Sequence, residues 1–115
     1  MSVTIYHNPR CSKSRATLAL LEERGISPTV IEYLHNPPST KTLRAILDGL
    51  GITAAELMRK GEDEYKSARG EVDAMNESAR IEWLAANPRV IERPIVVNGN
   101  KARVGRPPDA VLEIL

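Results

Sequence analysis

The sequence predicts an α/β fold: a mixed four-stranded sheet with flanking helices and a helical insertion between its two halves. Three observations lead there. A β-rich run, a helical segment and a second β-rich run follow one another over residues 3–34, the order of a parallel βαβ unit. Two short β runs near the C-terminus flank an Asn-Gly pair, which is a hairpin signal, and a further apolar segment follows them. Between these halves, apolar residues recur mostly at helical spacing.

Residues 3–6 (VTIY) read as the first strand, broken by HNPRC. Over 12–24 (SKSRATLALLEER), Ala16, Leu18, Leu20 and Leu21 stand at roughly helical spacing, with Ser12 suited to the N-cap and Gly25 to the left-handed residue beyond the end. TVIEYL (29–34) is β-branched, aromatic or apolar at Val30, Ile31, Tyr33 and Leu34, and NPP stops it. In STKTLRAILDGL (39–50), Leu43, Ile46, Leu47 and Leu50 form one apolar stripe, ended by Gly49 and Gly51. TAAE (53–56) matches a capping box, Thr53 with Glu56, opening a short helix through Met58 and Arg59.

The charged stretch 61–76 has weak periodicity and predicts short helical turns and solvated loop. A helix over about 77–86, facing inward through Ala79, Ile81, Trp83 and Leu84, stops at Asn87-Pro88. IVV and KARV then flank NGN, which suits a type I′ turn, and PDAVLEIL closes the chain as a helix with Val111, Leu112 and Leu115 on one face. A βαβ unit, a helical insertion and a ββα unit together make a thioredoxin-like arrangement.

With 115 residues, one domain spanning 1–115 is expected. Hydrophobic residues make up 42% and charged residues 27%, which excludes a disordered or fibrous class. Phe is absent, and the four aromatic residues, Tyr6, Tyr33, Tyr65 and Trp83, offer no base-stacking platform; with a net charge of +1 and no basic stripe, nucleic acid is not an expected partner. No apolar run approaches the roughly 20 residues of a membrane span. A single cysteine excludes an internal disulfide framework and a thiolate-rich zinc site, so no metal is expected, and it suits a reducing, cytoplasmic setting. A monomer is expected.

That cysteine, Cys11, lies in YHNPRCSKSR at the junction of a strand and a helix. Unpaired N–H groups and the positive end of the dipole at a helix N-terminus favour a thiolate, and His7, Arg10, Lys13 and Arg15 add positive charge nearby in sequence. The alternative is a small buried residue, although HNPRCSKSR contains no apolar neighbour to bury it. His7 is either structural or an orienting group. Ser14 stands where a dithiol oxidoreductase would carry its second cysteine, so disulfide turnover would need an external thiol; its hydroxyl is either solvated or bonded to the sulfur or an anion. Arg59 at a helix end, Arg93 before Pro94 and Arg106 before Pro107 present planar donors suited to a tetrahedral oxyanion, provided that they converge on Cys11.

From TIYHNPRCSKSR through YLHNPPS, ELMRKGE and NPRVIERPIVV to VGRPPDAVLEIL, the chain resembles the glutaredoxin-coupled arsenate reductase family, over essentially its entire length. The resemblance implies a thioredoxin-like fold, a nucleophilic Cys11 and an oxyanion held by Arg59, Arg93 and Arg106. His7, Ser14 and Arg15 match the family's motif residues, and Pro94 matches the position of a cis proline before a strand. The implied reaction is attack of the Cys11 thiolate on arsenate, with glutathione as co-substrate and glutaredoxin as partner, and with no bound cofactor. Around the nucleophile the chain reads RCSKS where the resistance enzymes have small residues in the manner of ACGTS; Arg10 and Lys13 bring it closer to the family's small uncharacterised homologues. Two alternatives share the fold: a monothiol oxidoreductase acting on another substrate, and an Spx-like regulatory module binding RNA polymerase, many of which carry a CxxC switch where this chain has Ser14.

Overall fold

The structure, a computed structural model, describes residues 2–115. Strand β1 (Val3–His7) lies between β2 (Thr29–Glu32), with which it pairs in parallel, and β3 (Ile95–Asn98), with which it pairs antiparallel. Strand β4 (Lys101–Val104) pairs antiparallel with β3, and the order across the mixed four-stranded sheet is β2-β1-β3-β4. The β1-to-β2 crossover runs through helix α1 (Ser12–Glu23). Between β2 and β3 lie α2 (Thr40–Leu50), α3 (Ala54–Leu57), α4 (Asp63–Ala74) and α5 (Glu77–Ala86), followed by a short 3₁₀ turn at Pro88–Val90.

Alternation along the central strands sorts the core into two layers. Val3 and Ile5 of β1 and Val96 of β3 pack with Leu21, Val111 and Ile114 on one face. Tyr6 and Ile95 point to the other face, against Leu43, Ile46 and Leu47 of α2, Leu57 of α3 and Leu84 of α5. The α2 stripe forms as its spacing predicts, Ser39 caps the helix by accepting the Thr42 N–H, and the Thr53–Glu56 capping box opens α3.

Several elements depart from the sequence expectation. Residues 63–74 form a regular three-turn helix, α4, rather than short turns and loop. Only Tyr65 and Val72 are buried along it, one turn-multiple apart, so tertiary packing holds a segment whose apolar periodicity is too sparse to read. Helix α3 stops at Leu57, before Met58 and Arg59, because Met58 bridges to Ile91 and the Arg59 N–H donates to Val90 O at 2.7 Å. Strand β2 ends at Glu32, whose carbonyl accepts the His35 and Asn36 N–H groups in a turn.

In α1 the buried residues are Ser14, Thr17 and Leu21, while Ala16 is exposed. The hairpin loop is Gly99-Asn100, with Asn98 paired to Lys101. Gly99 has φ +64° and no described non-glycine residue has positive φ, so glycine stands at the first central position as in a type II′ turn, not the type I′ expected. The last element, Pro108–Ile114, is a 3₁₀ helix rather than an α-helix. Its three-residue period buries Val111 and Ile114 together and leaves Leu115 exposed.

Candidate active site

Cys11 is the N-cap of α1, with extended backbone angles (φ −93°, ψ 123°) and its carbonyl accepting the Arg15 N–H at 3.0 Å. The helix thus opens at Ser12, and its N-cap lies one residue earlier than the Ser12 N-cap expected. The preceding loop is closed by its own polar groups: Cys11 N–H donates to Asn8 O, Arg10 N–H to Asn8 Oδ1, and Arg15 Nη1 to Pro9 O, each at 3.0 Å. Arg15 therefore braces the loop, and Arg10 is exposed beside it. Partial burial pushes the Cys11 thiol up, but the Ser14 and Lys13 N–H groups and the adjacent Arg93 guanidinium outweigh it, leaving the pKa below the ordinary thiol value.

Ser14 is fully buried, so its hydroxyl is not solvated. Nor is it bonded to the sulfur. Its Oγ accepts the Asn8 N–H at 3.0 Å and lies 2.6 Å from His7 Nδ1. Only the backbone N–H of Ser14 serves the thiolate. His7 is itself buried, and burial pulls its pKa down despite Glu32 pulling it up. Because Ser14 Oγ already accepts the Asn8 N–H, the tautomer with its proton on Nε2 lets Nδ1 accept the Ser14 O–H. His7 and Ser14 thus act as a buried strut between β1 and α1.

The distant arginines come together around Cys11 through two loops. The Arg93-Pro94 and Arg106-Pro107 bonds are both cis, and Gly105 N–H donates to Pro94 O at 2.9 Å, tying the segment before β3 to the one after β4. Gly105 is fully packed: an added Cβ would run into Thr17 Oγ1 and sit 2.8 Å from Pro94 Cγ. This close approach presses the arginine loops against α1. Arg106 Nη2 donates to Cys11 Sγ at 3.5 Å, and Arg106 Nε donates to Arg93 O at 2.8 Å. Arg59 has no bond to the sulfur; it joins the cluster through carboxylates.

Those carboxylates, Glu62 and Glu92, escape sequence reasoning. Glu92 Oε1 accepts from Arg59 Nη1 at 2.8 Å and is ion-paired with Arg106 Nε at 3.1 Å. Glu62 Oε2 lies 3.3 Å from Arg59 Nε and 3.9 Å from Arg93 Nη1. The only available signals were their adjacency to Arg93 and their i,i+3 spacing from Arg59, both common among surface charges. Arg93 Nε is buried with no hydrogen-bond partner, an unspent donor inside the cluster. A cleft of about 530 Å³ adjoins the cysteine loop, lined by Asn8, Pro9, Arg10, Tyr33, Glu62 and Arg93 among others, although Cys11 is not in its wall. Among the described residues, no group of three or more His, Cys, Asp and Glu could hold a metal ion.

A cysteine at a helix N-terminus, with Arg106 bonded to its sulfur and Arg93 beside it, is an arrangement suited to binding an anion against a nucleophile. Residues 6–114 match the ArsC family model. The chain belongs to the ArsC family. Among curated relatives, this ArsC-family chain is 53% identical to the uncharacterized protein YfgD of Escherichia coli (strain K12), over 98% of this chain and 96% of that protein. It is 47% identical to the arsenate reductase of Haemophilus influenzae, over the full length of both. Among solved structures, the arsenate reductase from Vibrio cholerae superposes with a TM-score of 0.94 at 49% identity, covering 100% of this chain and 98% of that one. The ArsC-family fold is thus the thioredoxin-like one expected, and no helix among the described residues is long and apolar enough to cross a membrane.

Proposed function

We propose that this chain reduces arsenate to arsenite with Cys11 as nucleophile. The observation that carries the reading is the placement of the Cys11 sulfur between the first N–H groups of α1 and the Arg93 and Arg106 guanidiniums. Such a thiol ionises more readily than a free one and has cationic donors beside it, where an incoming oxyanion would sit. Relatives named arsenate reductase that match the whole chain support arsenate as the oxyanion.

In the proposed cycle the thiolate attacks arsenic(V) and a protonated oxygen leaves as water, forming a Cys11–arsenic bond. Arg59, Arg93 and Arg106 balance the negative charge as the arsenic changes geometry. Glutathione displaces a second oxygen as water. A glutaredoxin thiolate then attacks the glutathione sulfur; the two thiols supply the two electrons and end as a mixed disulfide, leaving arsenic(III) on Cys11. Water releases arsenite and restores the thiolate. One cysteine suffices because the other two thiols come from solution.

The test is arsenite formation from arsenate with glutathione, glutaredoxin and a recycling system. Turnover is expected in the wild type and its loss in Cys11→Ser. No turnover under conditions where the Haemophilus influenzae relative is active rejects arsenate as substrate; turnover that survives Cys11→Ser rejects the mechanism.

A further inference from the structure

One carboxylate oxygen carries an unusual load. Glu92 Oε1 accepts from the Arg59 guanidinium at 2.8 Å and from the Arg93 backbone N–H at 3.1 Å, and it is ion-paired with Arg106 Nε at 3.1 Å. The three partners come from three separate places: the segment after α3, the segment leading into β3 and the loop after β4. The backbone of Glu92 is itself anchored, since its N–H donates to Leu57 O at 2.9 Å beside the Met58–Ile91 bridge. The hub is therefore rigid at its base.

We propose that Glu92 is a positioning residue that gathers Arg59 and Arg106 into one array and aims the Arg106 guanidinium at the Cys11 sulfur. The reasoning is geometric. A guanidinium is planar, so fixing Nε fixes where the Nη groups point. Arg106 Nε–H donates to Arg93 O at 2.8 Å and is drawn towards Glu92 Oε1 by an ion pair at 3.1 Å, and Arg106 Nη2 meets Cys11 Sγ at 3.5 Å. Without the carboxylate, two guanidiniums would face each other uncompensated and separate, and Arg106 would keep only the carbonyl. Each fork uses only part of its five N–H groups on Glu92, so donors remain for an oxyanion.

Charge and position act in opposite directions here, which makes the role testable. A carboxylate beside a thiolate disfavours it by Coulomb repulsion, so removing Glu92 should speed thiolate chemistry if charge is all it contributes. If it positions Arg106, removal slows that chemistry instead. The experiment is alkylation of Cys11 by iodoacetamide in the full-length protein at a fixed pH below the thiol midpoint, followed by mass spectrometry. Glu92→Ala is expected to react about fivefold more slowly than the wild type, a loss on the scale of one charge-assisted hydrogen bond at a partly exposed site. Glu92→Gln, which keeps the length and an acceptor oxygen, is expected to recover most of that rate. Faster alkylation in both variants, or an unchanged rate in Glu92→Ala, overturns the proposal. If Glu92→Ala does not fold, Glu92→Asp decides alone: it keeps the charge and shortens the reach, so a rate below the wild type supports positioning and a rate at or above it refutes positioning. The proposal extends the oxyanion-site reading above, yet the alkylation needs no arsenate, so its failure and a failure of arsenate turnover are separate results.

Discussion

Replacing Ser14 by Ala separates two roles that the sequence leaves open, a ligand of the sulfur or an internal strut. The hydroxyl is fully buried and joins two groups, the Asn8 N–H at 3.0 Å and His7 Nδ1 at 2.6 Å. Alanine leaves both without a partner. An unsatisfied buried polar group costs about 1–3 kcal/mol. Asn8 is only partly buried and water can serve it, whereas His7 is buried, so the expected loss is about 2–3 kcal/mol. For a domain of this size that lowers Tm by roughly 8–15 °C. The backbone N–H of residue 14, which supports the thiolate, is untouched by the substitution. Thermal unfolding and the pH profile of Cys11 alkylation, measured on the same samples, read the two roles apart: Tm falls and the alkylation midpoint stays. An unchanged Tm with a midpoint moved upward would refute the reasoning, because it would place the hydroxyl on the sulfur and not on His7.

Three further outcomes follow from the site. Arg106→Lys keeps the charge but has one nitrogen for Arg93 O, Glu92 and the sulfur, so the Cys11 alkylation midpoint should rise; a midpoint at or below the wild-type value would show that charge alone suffices. Gly105→Ala forces a Cβ into Thr17 and Pro94 and should cost about 1–3 kcal/mol in urea unfolding, with a matching loss of activity as the arginine loops shift; wild-type stability would mean that the packing yields. The thiol pKa is depressed in the folded chain, so between that value and the ordinary thiol value the unfolded chain binds more protons and stability rises with pH. The stability of the wild type relative to Cys11→Ala should therefore grow as pH approaches 9.0 from below, level off above it, and vanish as pH falls through the folded pKa; a flat difference across the range contradicts a depressed pKa.

What the sequence determined by itself was whatever depends on near neighbours. The α2 stripe, the Thr53–Glu56 capping box, the βαβ order and the cysteine at a helix start each need only residues within one or two turns, and each appears in the structure. Helix α4 was not legible because its two buried residues are far apart along it, and the final helix took the 3₁₀ form because Val111 and Ile114 share one layer with Val3 and Ile5. The buried face of α1 was obscured for a different reason. Ser14 and Thr17 are polar by type, yet they pack inward once His7 and Lys13 O satisfy their hydroxyls.

Tertiary structure alone decided the site. Arg93 and Arg106 reach Cys11 from more than eighty residues away because Gly105 packs on Thr17 and pairs with Pro94, and no local pattern encodes that approach. It also decided that Glu62 and Glu92 belong to the arginines. A carboxylate's partner is set by which guanidinium lies within about 3 Å, and at that range the fold, not the spacing along the chain, chooses the pair.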